Sequence, residues 1–256
     1  MREQWRLLDT GVNTAFANMA IDRAILVANS QGKVPPTVRF YGWSPPAISL
    51  GYFQSVAEEI DIDVCERLGV DYVRRITGGG AVFHETELTY SIVVPESHPD
   101  VPKNIMKSYG RICGAVMKGL AQLGIESEYV PINDIVTGGR KISGNAQTRK
   151  LETVLQHGTV LMDVDVDKMF SLLKVPNEKI KDKLIADVKQ RVTSIKHLLG
   201  GEVRFKEVAR AMKIGFEEEF HVELIEGVFE SNAQVRKNTN QITPSIRIAR
   251  PVLMAS

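Results

Sequence analysis

The chain has 256 residues, with 32 basic and 31 acidic side chains, a formal net charge of +1 and 43% hydrophobic residues. This composition is typical of a soluble protein with one large domain, or one medium domain and a small appendage, and it excludes two full-sized domains. The near-neutral charge argues against a dedicated nucleic-acid-binding protein, because phosphate contacts require a basic excess.

The cysteine content and the N-terminus indicate where the protein acts. Cys65 and Cys113 are the two cysteines, which is too few for a disulfide framework, and their spacing is not that of a metal site. The charged N-terminus lacks the apolar segment of a signal peptide, and no apolar run reaches the ~18 residues of a membrane span. We therefore expect a cytoplasmic protein with no membrane and no nucleic-acid partner.

The first half of the chain is predicted to mix short strands with helices. Apolar residues at helical spacing after Thr14 predict a helix that ends near Gly32, and a second helix is predicted over 61–68. The predicted strands of this half cover 5–9, 37–43, 47–52, 70–76 and 87–94.

The second half begins with a long amphipathic helix predicted over 104–123. Further helices are predicted over 165–173, 178–187 and 204–220, and strands over 125–130, 133–137, 141–147, 154–162 and 222–225. Because strands and helices mix without strict alternation, an α+β fold of mixed sheets packed with helices is favoured over a doubly wound sheet. We expect a folded domain over 1–228 and a basic tail over 229–256, which is either an unstructured arm or a segment that orders on a partner.

A glycine run follows a predicted strand at Gly78–Gly80. Each glycine costs about 0.5–1 kcal/mol in chain entropy, so such a run indicates backbone that turns tightly or approaches a ligand, and its amides can bind an anion. Arg74 and Arg75 precede the run, and because strand side chains alternate between faces, at least one of them should be available for a phosphate or carboxylate. The alternative is a glycine hairpin on a solvated surface.

A second candidate site surrounds the two glycines at 138–139, which predict a tight hairpin. Pairing about this turn places Lys141 opposite Val136 and Ser143 opposite Asp134 on one face, with two isoleucines on the other. An acid, a lysine and a hydroxyl on one face can hold a metal-bound polyphosphate. A polar, solvent-facing hairpin is equally compatible with this spacing.

Two of the five histidines are candidate site residues. His84 has the stronger claim because it lies four residues after the glycine run. His157 lies in an apolar strand, where a lone histidine is more often a hydrogen-bonded structural residue than a catalyst.

These motifs, in this order, resemble the lipoate-protein ligase family of cofactor ligases. The resemblance extends across most of residues 1–225, and its motifs are Trp5–Asp9, Asn18–Asp22, Arg39–Tyr41, Gly51–Gln54, Arg74–His84, Asn133–Ile135, Lys141–Gln147 and Gln156–Thr159. It implies the biotin/lipoyl protein ligase catalytic-domain fold over 1–228. It also implies a two-step reaction, in which lipoate, ATP and Mg²⁺ give lipoyl-AMP and the lipoyl group then passes to a specific lysine of a lipoyl-domain acceptor, such as H-protein or the E2 component of a 2-oxoacid dehydrogenase.

The resemblance also assigns roles to residues. Lys141 is implied to be the catalytic residue, which contacts the lipoyl carbonyl and the α-phosphate, while Asn133 and Asp134 are implied to hold ATP, with Asp134 as a ligand of Mg²⁺. The residues implied to bind lipoate or lipoyl-AMP are Arg75, Gly78, Gly79, Gly80, Ala81, Val82, His84, Ser143, Gly144, Ala146, His157 and Gly158.

Relatives of the same fold provide an alternative, because octanoyltransferases move an acyl group from an acyl-carrier protein, or from another lipoyl domain, through a cysteine thioester without ATP. This chemistry needs an activated thiolate near the lysine. In those transferases the cysteine lies before the lysine hairpin or after the His-Gly strand, and neither place holds a cysteine here. The resemblance therefore favours an ATP-dependent ligase over an octanoyl or lipoyl transferase.

Two properties of a ligase are left open by the resemblance. Full-length ligases of the family carry a C-terminal accessory domain, and we expect adenylation by this chain to need a separate small accessory protein. The acyl substrate is also unresolved among lipoate, octanoate and biotin, because an apolar pocket discriminates small changes by only about 1–3 kcal/mol.

Overall fold

The fold contains two β-sheets. The computed structural model describes residues 2–174 and 181–228, which form an eight-stranded sheet and a three-stranded sheet packed with helices. The strands are β1 (Glu3–Asn13), β2 (Thr37–Trp43), β3 (Ala47–Leu50), β4 (Asp71–Arg74), β5 (Val82–His84), β6 (Glu87–Pro95), β7 (Glu128–Val130), β8 (Asp134–Thr137), β9 (Arg140–Lys150), β10 (Thr153–Leu161) and β11 (Val222–Glu226). The helices are α1 (Ala15–Ser30), α2 (Val56–Glu59), α3 (Ile62–Arg67), α4 (Ile105–Gln122), α5 (Val166–Leu172), α6 (Lys181–Arg191), α7 (Ile195–Leu199) and α8 (Phe205–Phe220). This mixture confirms the predicted α+β class.

The large sheet has the strand order β11-β1-β2-β6-β10-β9-β8-β7. Strand β1 runs parallel to both β2 and β11, and the other pairs are antiparallel. Parallel neighbours need a crossover connection, and α1 supplies it between β1 and β2. The small sheet has the order β4-β3-β5.

Side-chain alternation along the central strands divides the large sheet into two faces. Along β6, alternate residues pack into the main core with α4 and α8; these are Leu88, Tyr90, Ile92 and Val94. The residues between them are more polar, with Glu87, Thr89 and Ser91 all buried. Because Ser91 bonds to Asp22 of α1 and Glu87 bonds to His84 of β5, the polar face is the one that meets α1 and the small sheet.

The long helices begin at capping residues that the sequence supplies. The Thr14 hydroxyl accepts a hydrogen bond from the Ala17 amide before α1, and the Asn104 side chain accepts one from the Lys107 amide before α4. Helices α4 and α8 pack so closely that a Cβ atom on Gly215 would lie 2.2 Å from the Ala115 carbonyl oxygen.

The structure corrects the predicted register of the lysine hairpin. Lys141 pairs with Val136, as predicted, but Ser143 pairs with Ile135, and Asp134 pairs with Gly144. A bulge adds one residue to β9 at Ile142, and an extra residue reverses the face of every side chain beyond it. Ser143 is therefore fully buried and does not share a face with Lys141.

Other element boundaries also differ from the predictions. Strand β1 extends well beyond 5–9, and β5, α2 and α7 were not predicted. The predicted helix over 178–187 corresponds to α6, and its first residues lie outside the described part of the chain. The predicted tail over 229–256 also lies outside it. In the described part, no helix combines the length and the apolarity that crossing a membrane requires; the cytoplasmic location stays a prediction.

Candidate active site

A cavity of about 540 Å³ lies between the two sheets. The residues expected from the resemblance that line it are Arg75, Gly78, Gly79, Gly80, Ala81, Val82, His84, Asn133, Lys141, Gly144, Ala146, His157 and Gly158. They come from four stretches of the chain, which the fold brings together at one place. Asp134 does not line the cavity but contacts Lys141, and Ser143 does not line it because of the β9 bulge.

Lys141 is held at the wall of this cavity by an ion pair. Its Nζ atom lies 2.7 Å from Oδ1 of Asp134, and both side chains are partly exposed. The Lys141 carbonyl accepts a hydrogen bond from the Thr193 amide, which attaches the segment after α6 to β9. Val188 and Val192 of this region also line the cavity. The ammonium group thus lies at the cavity wall beside one carboxylate, where it can stabilise negative charge that develops on a bound ligand.

Arg75 shapes the glycine loop from inside the protein. Its Nε atom donates to Thr77 Oγ1 (3.2 Å), Nη1 donates to the Ser49 carbonyl (2.7 Å) and hydroxyl (3.2 Å), and Nη2 donates to the carbonyls of Gly78 (2.8 Å) and Gly80 (2.7 Å). These contacts match the five N–H groups of a guanidinium. Burial lowers the pKa of Arg75 to about 10, which still leaves it protonated at neutral pH. Arg75 therefore binds the protein backbone, and its role as a direct ligand of lipoate stays a prediction.

The glycine loop turns amide groups away from Arg75. In a trans peptide the N–H points opposite to the preceding carbonyl, so the amides of Gly79 and Ala81 face away from the guanidinium. Gly79 has a φ of +96°, which favours glycine. A Cβ atom on Gly51 would lie 1.9 Å from the Gly79 carbonyl oxygen, so the loop needs glycine on both sides of this contact. Amides arranged in this way can bind a carboxylate or a phosphate.

His157 belongs to a buried polar network centred on Asp22 of α1. Its Nε2 atom lies 2.8 Å from Thr77 Oγ1, and its Nδ1 atom lies 3.4 Å from Asp22. Burial lowers the pKa of His157 more than the neighbouring Asp22 raises it, so the ring is neutral at pH 7. Because Asp22 can only accept, the hydrogen-bond network assigns the proton to Nδ1.

His84 belongs to a second network at the same cavity. Its Nδ1 atom lies 2.5 Å from Glu87, its Nε2 atom lies 2.7 Å from the Ser49 hydroxyl, and its ring stacks on Trp43 at 4.0 Å. Asp22, Glu87, Ser49 and Trp43 were not candidates in the sequence analysis. A usable signal existed for Asp22, which lies four residues after Asn18 and therefore on the same face of α1.

Neither cysteine lines the cavity. Cys65 and Cys113 are both fully buried. Burial, aided by Asp61, raises the pKa of Cys65 to about 11, and burial raises the pKa of Cys113 to about 12. Both are therefore neutral thiols near pH 7, packed in the interior.

Three comparisons with known proteins agree on the type of domain. A model of the lipoyl protein ligase A/B catalytic domain matches residues 14–217. An octanoyltransferase LipM from Geobacillus kaustophilus is 41% identical over 246 residues, which cover 87% of this chain and 88% of the relative. Among solved structures, a bi-partite lipoate protein ligase from Thermoplasma acidophilum, studied with its E2 lipoyl domain, has a TM-score of 0.84 at 29% identity and covers 93% of both chains. A lipoate-protein ligase A bound with ATP has a TM-score of 0.77 at 28% identity, over 94% of this chain and 95% of that one.

Proposed function

The chain belongs to the lipoyl protein ligase A/B catalytic-domain family, and from this premise we propose that it transfers an octanoyl or lipoyl group to a lysine of a lipoyl domain. The observation that carries the proposal is the Lys141–Asp134 ion pair at the wall of the cavity that the glycine loop also lines. In amide formation the acceptor amine attacks an acyl carbonyl, and negative charge develops on the carbonyl oxygen. The Lys141 ammonium is suited to stabilise that charge, and loss of one such donor typically costs about 10²–10³ in rate.

The preferred acyl donor is a thioester on a carrier protein or on another lipoyl domain, without ATP. The support is the set of relatives named octanoyltransferase, which favours the transferase alternative over the ATP-dependent ligase that the sequence analysis preferred. Because both cysteines are buried and protonated and neither lines the cavity, we propose direct attack of the acceptor amine on the bound thioester, with no acyl-cysteine intermediate. The acceptor loses a proton, and the carrier thiol leaves.

ATP-dependent ligation through an acyl-adenylate is a second candidate function. It is favoured because neither cysteine lines the cavity, and because the chain is similar to a lipoate-protein ligase A bound with ATP. The residues that would hold the nucleotide and Mg²⁺ are Asn133, Asp134 and Lys141. In the described ranges 2–174 and 181–228, no three metal-ligating side chains cluster. A lone carboxylate still fits Mg²⁺ that arrives on a nucleotide, because Mg²⁺ is often held by one or two carboxylates together with phosphates. A separate accessory protein would be consistent with a ligase of the bi-partite kind.

The test is octanoylation of an unmodified E2 lipoyl domain, measured by mass spectrometry. One reaction contains octanoyl-carrier protein as the donor without ATP, and the other contains octanoate, ATP and Mg²⁺ without the carrier protein. We expect product from the thioester without ATP, and Lys141→Ala should reduce the rate about 10²–10³-fold. The control is Lys118→Ala, because Lys118 has similar exposure and also pairs with a carboxylate, Glu219, but lies on α4. Product from octanoate only when ATP is present would support the ligase candidate instead. Full activity of Lys141→Ala with both donors would refute the role of Lys141.

A further inference from the structure

Five large apolar side chains are exposed on segments that contact the end of β9 or directly follow it. They define what we call the aromatic patch: Tyr52 (47% exposed), Phe53 (90%), Ile105 (54%), Met106 (39%) and Leu151 (61%). Phe53 is the most exposed large apolar side chain in the described part of the chain. We propose that the aromatic patch is the docking surface for the acceptor lipoyl domain, an inference that rests on the proposed function and adds the surface that receives the protein substrate.

The loop that carries Tyr52 and Phe53 is fixed in shape. Nη1 of Arg74 donates to the carbonyls of Gly51 (2.9 Å), Tyr52 (3.1 Å) and Gln54 (2.6 Å), and the Gln54 side chain accepts the Gly51 amide hydrogen (2.8 Å). The two aromatic rings also contact each other edge to face at 5.0 Å. A loop whose backbone the protein already holds in place loses little entropy when a partner covers it, which favours binding.

The patch is continuous with the active site. Gly51, which begins the aromatic loop, packs directly against Gly79, and Gly79 lines the cavity. On the other side, the Lys150 ammonium lies 4.5 Å from the centre of the Tyr52 ring, which joins the end of β9 to the loop. Arg149 donates to the Pro102 carbonyl (2.8 Å) and the Ser108 hydroxyl (3.1 Å), which bracket the segment that bears Ile105 and Met106.

The distance from the patch to Lys141 suits a small domain. Lys141 and Lys150 lie on the same strand, β9. At about 3.3 Å per residue, the strand from one to the other is about 30 Å long, which is roughly the diameter of a small domain. A domain seated on the patch can therefore extend to the cavity and present its lysine there.

The charges beside the patch predict an acidic partner. Lys103, Lys107, Arg149 and Lys150 belong to the same segments as Ile105, Met106 and Leu151, and within residues 2–174 and 181–228 none of these four cations forms an ion pair with a carboxylate. Glu152 is the acidic residue next to Leu151. Four cations without a carboxylate partner, one of them over the Tyr52 ring, favour an acidic protein surface, because aromatic groups supply binding energy and complementary charge speeds association.

The test measures binding separately from catalysis. The dissociation constant of the full chain for an unmodified E2 lipoyl domain is measured by calorimetry at low and high salt, and the steady-state KM for the same domain is measured with octanoyl-carrier protein as donor. We expect Phe53→Ala to weaken binding about tenfold or more and to raise KM with little change in kcat. Lys150→Glu should weaken binding at low salt and reduce its salt dependence. The control is Val12→Ala, because Val12 is 61% exposed on β1.

Three outcomes decide the inference. Unchanged affinity and KM in both Phe53→Ala and Lys150→Glu would overturn it. A raised KM for the octanoyl-carrier protein with an unchanged KM for the lipoyl domain would also overturn it, because the patch would then bind the donor. If the wild-type chain binds the lipoyl domain through Phe53 but transfers no acyl group from either donor, the docking surface stands and the proposed function fails.

Discussion

The buried ion pair between Asp22 and Arg39 gives the sharpest prediction about stability. Their oxygen and nitrogen atoms lie 2.7 Å apart, and the side chains are 2% and 0% exposed. Asp22 also accepts hydrogen bonds from Tyr41 (3.0 Å) and Ser91 (2.9 Å), and it lies 3.4 Å from His157 of the cavity wall. The perturbation is Asp22→Asn, which removes the charge and keeps the shape of the side chain.

The expected loss is about 3–5 kcal/mol of unfolding free energy, because the substitution leaves the Arg39 charge buried without a counter-charge. Burial alone would raise the pKa of Asp22, but Arg39 and the hydrogen bond from His157 together hold it below its ordinary value. A lowered carboxyl pKa contributes stability that is complete above the unfolded-state pKa, about 3.9, and is lost as the pH falls through the folded-state value. The difference between wild type and Asp22→Asn should therefore be largest above about pH 4 and shrink below it.

Urea unfolding followed by circular dichroism measures this loss. With an m-value of about 3 kcal/mol/M, a loss of 3–5 kcal/mol lowers the midpoint by about 1–1.7 M. The control is Asp167→Asn, because Asp167 pairs with Lys189 at 2.6 Å but both side chains are about half exposed or more, and such pairs contribute at most about 1 kcal/mol. A loss below about 1 kcal/mol in Asp22→Asn at pH 7 would refute the reasoning that Arg39 depends on this carboxylate.

Two further predictions concern the cavity wall and the thiols. Gly158→Ala should lower the unfolding free energy by about 2–4 kcal/mol, because the new Cβ atom would lie 2.1 Å from Asn145 Oδ1 and would break the hydrogen bond that Tyr90 donates to it. Thermal melting measures this loss, with Gly201→Ala as the control because nothing lies within 4 Å of a Cβ atom there. Equal melting temperatures of the two variants would contradict the prediction. Iodoacetamide at pH 8 should leave the folded enzyme unlabelled and active, because the pKa values of Cys65 (about 11) and Cys113 (about 12) keep both thiols protonated, and rapid inactivation would show that one of them reacts.

Local patterns in the sequence were sufficient for the fold class, whereas most of the cavity residues were expected only from the resemblance to the family. Capping residues, apolar spacing and glycines mark the helices and turns of the chain, and each of these signals lies within a few residues of the structure that it specifies. The glycine run and the lysine hairpin identified two segments that line the cavity. The resemblance to the family indicated that these motifs belong to one catalytic domain. The order of the motifs did not distinguish a ligase from a transferase.

The tertiary structure decided which groups meet. The sequence could not show that the five N–H groups of Arg75 bind the protein, because Ser49 reaches it from another strand of the small sheet. Likewise, Asp22 and His157 are 135 residues apart in the chain and meet only because α1 packs across the large sheet. The bulge at Ile142 depends on how β8 and β9 pair, and no periodic pattern records it. Periodicity specifies the face on which a side chain lies, whereas the partner of a buried polar group depends on packing between segments distant in sequence.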